Sequence, residues 1–532
     1  MKYYDDICAE IFEQHEKSQD YKCSLGRKGL FEQSKQNRRF YNGDQWYGAK
    51  TGNDKPLVRH NVIKRIGDYK SAVISGEKTE ISFSPVCVST VGLKEEEERI
   101  YKDIVGGKIK KFDRISDAEV SLASKAISDY FKTCAKRMQL SNICATALKN
   151  AYISGSGVVY AYWDSDIKTG LFADENRKVP IMGDICAEVI DIENVDFSDP
   201  ELENVQKQEY IIISSRKTVG ELIREAKKNG ANRDVIENIK PDNEYCDYEA
   251  FYSEKATVLT KFFKVYDKNG DFTVKAIRVC RNAVIKPEWD TKLKLYPIAK
   301  FNWDSEEHAY GESEITNLIP NQIAINRMLT ATVWSVMMMG MPIMVVNGDV
   351  VTQPITNSPG QIISFYGNSE DFDRTIKYVS PPQFSGNIDE ITNKLIENTL
   401  NSAGATDAAL GQIRAQNTSA IEAVTAAAKL PLEMIKRRYY CFLEDLAACF
   451  LEFMFCMYGS RPLLQKSTNK ECWFFPFNSK RYKDFVFLPS VTVQEGKADF
   501  DELIKQLEEL KDDEKTLIAN RIIGIEEKGD LQ

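Results

Sequence analysis

The residue types that most often carry chemistry are scattered along this chain of 532 residues. Twelve cysteines lie between Cys8 and Cys472 without any C-x-x-C pair, and there are three histidines. A zinc site needs thiolates or imidazoles at short, regular spacing, which this pattern does not provide. The sequence therefore predicts reduced cysteines, no metal centre and no cofactor.

Motifs for phosphate binding and hydrolysis are also missing. No G-x-x-x-x-G-K-[ST] loop occurs, which argues against an ATP-driven motor, and neither H-E-x-x-H nor G-x-S-x-G is present. The glycines of Ser154–Gly157 precede a predicted strand rather than follow one, so we expect a helix-to-strand turn and not a dinucleotide loop. These observations favour a protein that is not an enzyme.

Carboxylates form two runs, Glu95–Glu98 and Asp512–Glu514, which are more typical of solvated faces than of cation sites. Four further aspartates lie in or near strand-like sequence, and nothing in their spacing sets them in a catalytic geometry: Asp184, Asp191, Asp196 and Asp199. A metal-dependent enzyme acting on nucleic acid through a divergent site remains an open alternative.

The net charge is −9, which argues against a protein that binds nucleic acid tightly over a broad surface. One short stretch, Lys35–Arg39, is basic. Met328–Val346 carries no charge and approaches the length of a membrane span, but Gly340–Pro342 interrupts it. A helix packed against other helices is the preferred interpretation, and a membrane anchor at 328–346 is the alternative.

The first three hundred residues predict an α+β region. Helices are expected within residues 1–80, over Ser116–Ser154 as a pair, and over Thr218–Asn229. Strands are expected from alternating or continuous apolar runs. Asp267–Gly270 has the residue types of a turn and lies between the last two of these strands, which predicts a hairpin. The predicted strands are Ile81–Val86, Gly157–Trp163, Ile185–Ile192, Tyr210–Ser214, Ala256–Tyr266 and Phe272–Val279.

The following part is dominated by helices. Ser313–Met341 predicts a helix about 45 Å long at ~1.5 Å per residue, with apolar residues around most of its circumference. Residues 342–386 contain short β-type runs between turns, and the capping box of Asn387 and Glu390 starts a second helix that ends near Gly404.

Residues 404–418 are small and polar. A third helix is expected from Ser419 to about Tyr458, bent at Pro431. Gly459–Leu488 is interpreted as irregular and aromatic, and helices are expected after residue 495.

Three groups of residues resemble the portal proteins of tailed bacteriophages. The first is Phe40–Trp46 with Pro56 and Asn61, an aromatic-Gly-x-Gln-Trp cluster followed by a proline and an asparagine. The second is Tyr310–Ser313 with Gln322 and Asn326 on the helix, and the third is Gly404–Gly411 followed by Arg414 and Asn417–Ala420. The resemblance covers about residues 30 to 460.

This resemblance implies a portal fold with seven parts along the chain. They are an α+β wing (1–312), a first stem helix (313–341), a small β-rich clip (342–386), a second stem helix (387–403), a tunnel loop (404–418), a long kinked helix with the rest of the wing (419–494), and a short helical crown (495–532).

The resemblance also implies a head-to-tail ring, usually of twelve subunits, at one vertex of the capsid. Its partners would be the major capsid protein, the large terminase subunit, and head–tail adaptor or tail proteins. Double-stranded DNA would pass through non-specifically, without a membrane, first in the host cytoplasm and then in the virion.

Particular residues take roles under this resemblance. The tunnel loop would present Gln412, Arg414, Gln416 and Asn417 to passing DNA, and Lys394 would lie on the polar side of the second stem helix. Subunit packing would involve Ile319, Ile323, Trp334 and Met337 on the first stem helix. The alternative for the loop residues is an ordinary solvated loop. The alternative for the residues of the first stem helix is ordinary core packing.

Overall fold

The structure is a computed structural model that describes residues 2–49, 56–77, 79–86, 117–172, 178–242, 254–268, 270–305, 308–339, 343–346, 376–379, 387–405, 430–466, 472–483 and 485–493. The helices in these ranges are α1 (Lys2–Ser24), α2 (Leu30–Asn42), α3 (Val62–Ser75), α4 (Asp117–Met138), α5 (Leu140–Ser154), α6 (Val219–Lys228), α7 (Arg233–Glu237), α8 (Glu314–Met339), α9 (Asn387–Ser402) and α10 (Glu433–Met457). The strands are β1 (Thr79–Pro85), β2 (Ser156–Phe172), β3 (Pro180–Asp191), β4 (Val195–Phe197), β5 (Tyr210–Thr218), β6 (Lys255–Tyr266), β7 (Phe272–Cys280), β8 (Ala283–Asp290), β9 (Ile298–Asn302), β10 (Ile343–Val346), β11 (Ile376–Val379), β12 (Ser460–Lys466), β13 (Cys472–Asn478) and β14 (Phe487–Val493).

Helices and strands are mixed along the chain, as the predicted α+β class requires. The chain divides into two units that interleave in sequence. The first comprises Met1–Ile74, Ser141–Ala161 and Ala187–Tyr439, and the second comprises Ser75–Leu140, Tyr162–Cys186 and Tyr440–Gln532.

The first unit contains an antiparallel sheet in the order β4-β5-β6-β7-β8. Because side chains alternate across a strand, neighbouring residues of β5 pack on opposite faces. Ile212 lies in an apolar cluster with Cys8 and Ile11 of α1, whereas Ile211 lies in a second cluster with Tyr310. Both faces of the sheet are therefore covered within this unit.

Local signals explain several of the observed boundaries. The predicted hairpin of β6 and β7 closes where the amide of Asp267 donates to the carbonyl of Asp271 at 2.6 Å. Helix α6 begins after Thr218, whose hydroxyl accepts from the amide of Glu221 at 3.3 Å, a standard N-cap. Strands β8 and β9 are additions that the sequence pattern does not predict.

The predicted turn at Ser154–Gly157 is confirmed, because α5 ends at Ser154 and β2 begins at Ser156. Gly155 has φ +90°, and a Cβ there would lie 2.0 Å from the carbonyl oxygen of Gly311. Only glycine combines this left-handed backbone with so close an approach, so the two glycines bring the end of α5 against the residues that precede α8.

The predicted long helix is confirmed as α8, and the helix after the capping box is confirmed as α9, which packs against it. Between them in sequence, β10 and β11 form an antiparallel two-stranded ladder. A third predicted β-type run of this module, Ile362–Tyr366, lies outside the described residues.

The second unit is built from α4, part of α10 and strands from distant parts of the chain. Strand β1 pairs with β14, so that Ser82 lies opposite Ser490. Ring contacts at 5.4 and 5.6 Å between centroids connect Phe83 of β1, Phe131 of α4 and Phe450 of α10. These rings form an aromatic core for this unit.

One sequence prediction about this region is wrong. Gly459–Leu488 is not irregular, because β12 and β13 form a hairpin there and β14 begins at Phe487. Pro431 lies in the 3-10 turn Leu430–Leu432, and α10 begins at Glu433, immediately after this turn. A proline lacks the amide that an interior helical position donates, which accounts for the departure from α-helical geometry at Pro431. The predicted part of this helix from Ser419 to residue 429 lies outside the described residues.

Of the helices in the described ranges, none is both long and apolar enough to cross a membrane, α8 included.

Candidate functional site

The first half of α8 carries a stripe of polar residues on one face. Gln322, Asn326 and Thr330 follow each other at four-residue spacing, which places them on the same side of the helix. Gln322 and Asn326 are almost fully buried. Because a buried amide without partners would destabilise the fold, such a stripe requires a polar surface opposite it.

That surface is the backbone of residues 58–63. The Nε2 of Gln322 donates to the carbonyl of His60 at 2.6 Å, and its Oε1 accepts from the amides of Val62 and Ile63 at 3.0 and 3.3 Å. The Oδ1 of Asn326 accepts from the amide of His60 at 3.1 Å. One turn further, the hydroxyl of Thr330 accepts from the amide of Val58 at 3.1 Å. The start of α3 is thereby bonded to α8.

The aromatic cluster near the N-terminus joins the same network. Asn326 donates to Oε1 of Gln45 at 2.6 Å, and Gln45 donates to the carbonyl of Phe40. Asn61 donates to the carbonyl of Tyr41 at 2.9 Å and accepts from the amide of Lys64. Two motifs that lie about 270 residues apart in the sequence therefore meet in one hydrogen-bond network, named here the α8 network.

A second set of contacts lies at the first turn of α8. Lys70 of α3 forms an ion pair with Glu314 at 2.6 Å, and the indole of Trp303 donates to the other carboxylate oxygen at 3.1 Å. The hydroxyl of Ser313 donates to the carbonyl of Tyr152 at 2.7 Å and accepts from the amide of Ile315. A carboxylate in the first helical turn also interacts favourably with the helix dipole.

The second half of α8 has a different surface. Residues eleven apart share a face of a helix, so Val333 and Met337 continue the line of Gln322 and Asn326. Within the described part of the chain this face is largely exposed: Val336 is 61% exposed and Met337 is 45% exposed. Helix α8 is therefore bound through polar groups at one end and exposes apolar side chains at the other.

The four residues predicted for subunit packing fall on both halves. Ile319 is buried within the chain and Ile323 is half-buried, both in the half that contacts the rest of the first unit. Trp334 is half-buried and Met337 is exposed, both in the second half. Of the four, Met337 has the largest exposed fraction.

Helix α9 turns its small and apolar residues inwards. Thr392, Thr399 and Leu400 are buried, whereas Ile391 is 53% exposed. Lys394 lies on the exposed side, as expected for a polar face, and its amine contacts a carboxylate of Glu390 at 2.6 Å. The cation is thus balanced locally by an acidic neighbour one turn away.

The four residues predicted for the tunnel loop lie outside the described residues: Gln412, Arg414, Gln416 and Asn417.

Buried carboxylates in both units are bonded to donors rather than grouped with one another. In the first unit, Asp196 contacts the amine of Lys22 at 2.6 Å and the Nδ1 of His15 at 2.5 Å. Burial alone would raise the pKa of Asp196, but the interactions with Lys22 and His15 together outweigh it, and the pKa lies below its usual range. In the second unit, Asp184 accepts from the hydroxyls of Tyr130 and Tyr458 and pairs with Arg137. Among the described residues, no group of three or more metal-ligating side chains occurs.

Sequence reasoning identified Gln322, Asn326 and the Phe40–Trp46 cluster as motif members but not as partners of one another. It missed Thr330 and the ion pair of Lys70 with Glu314. The available signal was the four-residue spacing of polar residues on a helix that is otherwise apolar. This spacing predicts that the polar stripe of α8 contacts another polar surface, but it does not identify the segment that provides that surface.

No protein-family model matches this chain, and no curated protein matches it in sequence.

Proposed function

We propose that this protein is a portal protein of a tailed bacteriophage, a subunit of the ring through which the genome enters and leaves the capsid. The observation that carries the proposal is the segment α8, β10–β11, α9. Two long helices bracket a small β ladder, and the second half of α8 exposes apolar side chains that the described part of the single chain leaves uncovered. The three groups of residues that resemble portal proteins support the same function.

The exposed apolar residues have a physical explanation in a ring. Burying a valine or methionine side chain stabilises an interface by about 1.5 to 3 kcal/mol when the whole side chain leaves water. In the single chain, Val333, Val336 and Met337 are already partly buried, so only their exposed fraction is removed from water in a ring. Together they would contribute about 3 kcal/mol at each contact between subunits. A head-to-tail ring repeats that contact around its circumference, and one flank of each subunit complements the other.

The remaining parts follow from this arrangement. Helices α8 and α9 are the stem, the β10–β11 module is the clip that docks terminase and later adaptor or tail proteins, and residues 404–418 form the tunnel loop. A subunit charge of −9 makes the whole ring strongly acidic, which limits adhesion of DNA in transit. The function needs no catalytic step from this chain.

Imaging of the purified protein tests the proposal. Negative-stain micrographs and mass photometry should show closed rings with a central hole, in a dodecamer or a neighbouring oligomer. Val336→Asp should prevent assembly, because a carboxylate would be buried at every subunit contact. The matched control is Asn317→Asp, on an exposed position of the same helix within the well-packed half.

The two variants separate assembly from folding. We expect circular dichroism and thermal unfolding of the Val336→Asp monomer to match those of the control. Particles that stay monomeric at high concentration, alone and together with scaffolding protein, would contradict the proposal. So would rings that form equally well with both variants, because the exposed face of α8 would then not be the subunit contact.

A further inference from the structure

Positive charge is concentrated in one stretch of this acidic chain. Residues 27–65 contain ten lysines and arginines against three acidic residues, whereas the whole chain carries −9. Helix α2 holds three of these cations, Lys35, Arg38 and Arg39, at positions i, i+3 and i+4. This spacing places them on one face of the helix, opposite its buried residues.

The chain at the start of α3 carries three further cations. The side-chain amide of Asn61 donates to the carbonyl of Tyr41 at 2.9 Å, and the hydroxyl of Tyr41 donates to Asp68 at 2.5 Å, so the end of α2 contacts α3. The cations of the two segments that this contact joins are named here the basic surface: Lys35, Arg38, Arg39, Arg59, Lys64 and Arg65.

The charge of the basic surface is poorly compensated. In the part of the chain that the structure describes, no carboxylate lies within 4.0 Å of Lys35, Arg59, Lys64 or Arg65. The nearest acidic partners of the other two are at the limit of an ion pair: 3.9 Å for Arg38 with Asp191 and 4.0 Å for Arg39 with Asp44. Cations grouped without counter-charges repel one another, and an anionic ligand would relieve that repulsion.

Helices α6 and α7 show the opposite arrangement in the same unit. Their cations alternate with acidic residues, and Arg233 contacts Glu237 at 2.8 Å. The excess positive charge of the basic surface is therefore a local property and does not extend to every exposed helix of this unit.

We propose that the basic surface binds the phosphate backbone of double-stranded DNA without reading its sequence. Four of its six members are arginines, whose planar guanidinium groups bind phosphate oxygens through two N–H donors. The guanidinium of Arg39 stacks 3.4 Å from the ring centroid of Tyr47, which fixes its plane and leaves its edge available to an acceptor. Gln36 and Asn42 add neutral amide groups on α2.

The composition of the surface favours DNA over an acidic protein. Protein interfaces have a core of apolar and aromatic residues from which charged residues are depleted, whereas DNA interfaces are polar and strongly positive. The exposed side of α2 carries lysine, arginine, glutamine and asparagine between positions 35 and 42, with no exposed apolar residue.

This inference goes beyond the proposed function and stands on different residues. The channel requires DNA to move without adhesion, whereas the basic surface retains DNA on α2 and α3, outside the α8–α9 pair. If the unmodified protein forms rings but does not bind DNA, this inference alone is overturned.

The experiment measures binding of the full-length protein to a labelled duplex of about 30 base pairs by fluorescence anisotropy, over a series of salt concentrations. The test variant neutralises four cations together: Lys35→Gln, Arg38→Gln, Lys64→Gln and Arg65→Gln. The control removes the same charge from exposed positions of α6 and α7: Arg224→Gln, Lys227→Gln, Lys228→Gln and Arg233→Gln.

We expect the test variant to bind at least about tenfold more weakly at low salt, and the slope of log K against log salt to fall by about 3, since each phosphate contact contributes about 0.9. The control should bind like the unmodified protein. Equal losses in both variants, or no binding by the unmodified protein at about 50 mM salt, would overturn the inference. Tighter binding of poly-glutamate than of DNA at matched charge would also overturn it and assign the surface to an acidic polypeptide.

Discussion

Gln322 is the most connected side chain of the α8 network and provides a direct test of how α8 is held. Replacing it with methionine keeps the length and volume of the side chain and removes the amide. The amide of Ile63 would then lose its partner at 3.3 Å, whereas the carbonyl of His60 and the amide of Val62 would lose Gln322 at 2.6 and 3.0 Å but keep their bond to each other at 2.9 Å. Each buried group left without a partner destabilises the fold by about 1 to 3 kcal/mol.

Only the amide of Ile63 is left without a partner, and the losses do not add fully, because both amides share one acceptor and belong to the first turn of α3. We therefore expect Gln322→Met to lower the free energy of unfolding of the first unit by about 2 to 3 kcal/mol. The matched control is Asn317→Met, which places the same side chain at an exposed position of α8. Because Asn317 is exposed, its replacement should change the stability by no more than about 0.5 kcal/mol.

Urea unfolding followed by tryptophan fluorescence measures the stability, and amide hydrogen exchange locates the change. In the Gln322→Met variant, the amides of Val62 and Ile63 should exchange at least about thirtyfold faster, since about 2 kcal/mol corresponds to about one and a half decades. A loss below about 1 kcal/mol, or unchanged protection at these two amides, would refute the reasoning. The carboxamide would then not be what bonds α3 to α8.

Three further predictions concern other parts of the chain. Burial lowers the pKa of Lys300 to about 8, so as the pH rises Lys300 loses its proton in the folded protein before it does in the unfolded chain. The free energy of unfolding of the unmodified protein, relative to that of Lys300→Met, should therefore rise by about 3 kcal/mol between pH 7 and 10.5. A difference that does not change with pH would contradict this. Gly155→Ala should lower the melting temperature by more than about 8 °C because of its positive φ and the contact with a backbone oxygen, whereas Gly220→Ala, whose added Cβ meets nothing within 4 Å, should leave it unchanged or raised. Arg414→Ala should leave ring assembly intact and alter DNA packaging or retention; failure to form rings would instead assign Arg414 to a subunit interface.

Local sequence determined the elements whose signals are contained within a few residues. The apolar periodicity of 313–341, the capping box at Asn387 and the turn residues between β6 and β7 act over one or two turns of chain. Their boundaries agree with the structure to within a few residues. The same is true of the turn at Gly155, where the positive φ is a property that glycine alone tolerates well.

Only the tertiary structure decided which distant segments meet. The sequence predicts irregular structure over Gly459–Leu488, yet Pro462 and Pro476 face each other there in the β12–β13 hairpin. A two-stranded ladder leaves one edge of each strand unpaired, so a proline there need not remove a hydrogen bond. Likewise, the pattern of α8 predicts a polar stripe, but the choice of residues 58–63 as its partner depends on the packing of three helices. Pairings over hundreds of residues are set by complementary surfaces that form together, and no local pattern encodes them.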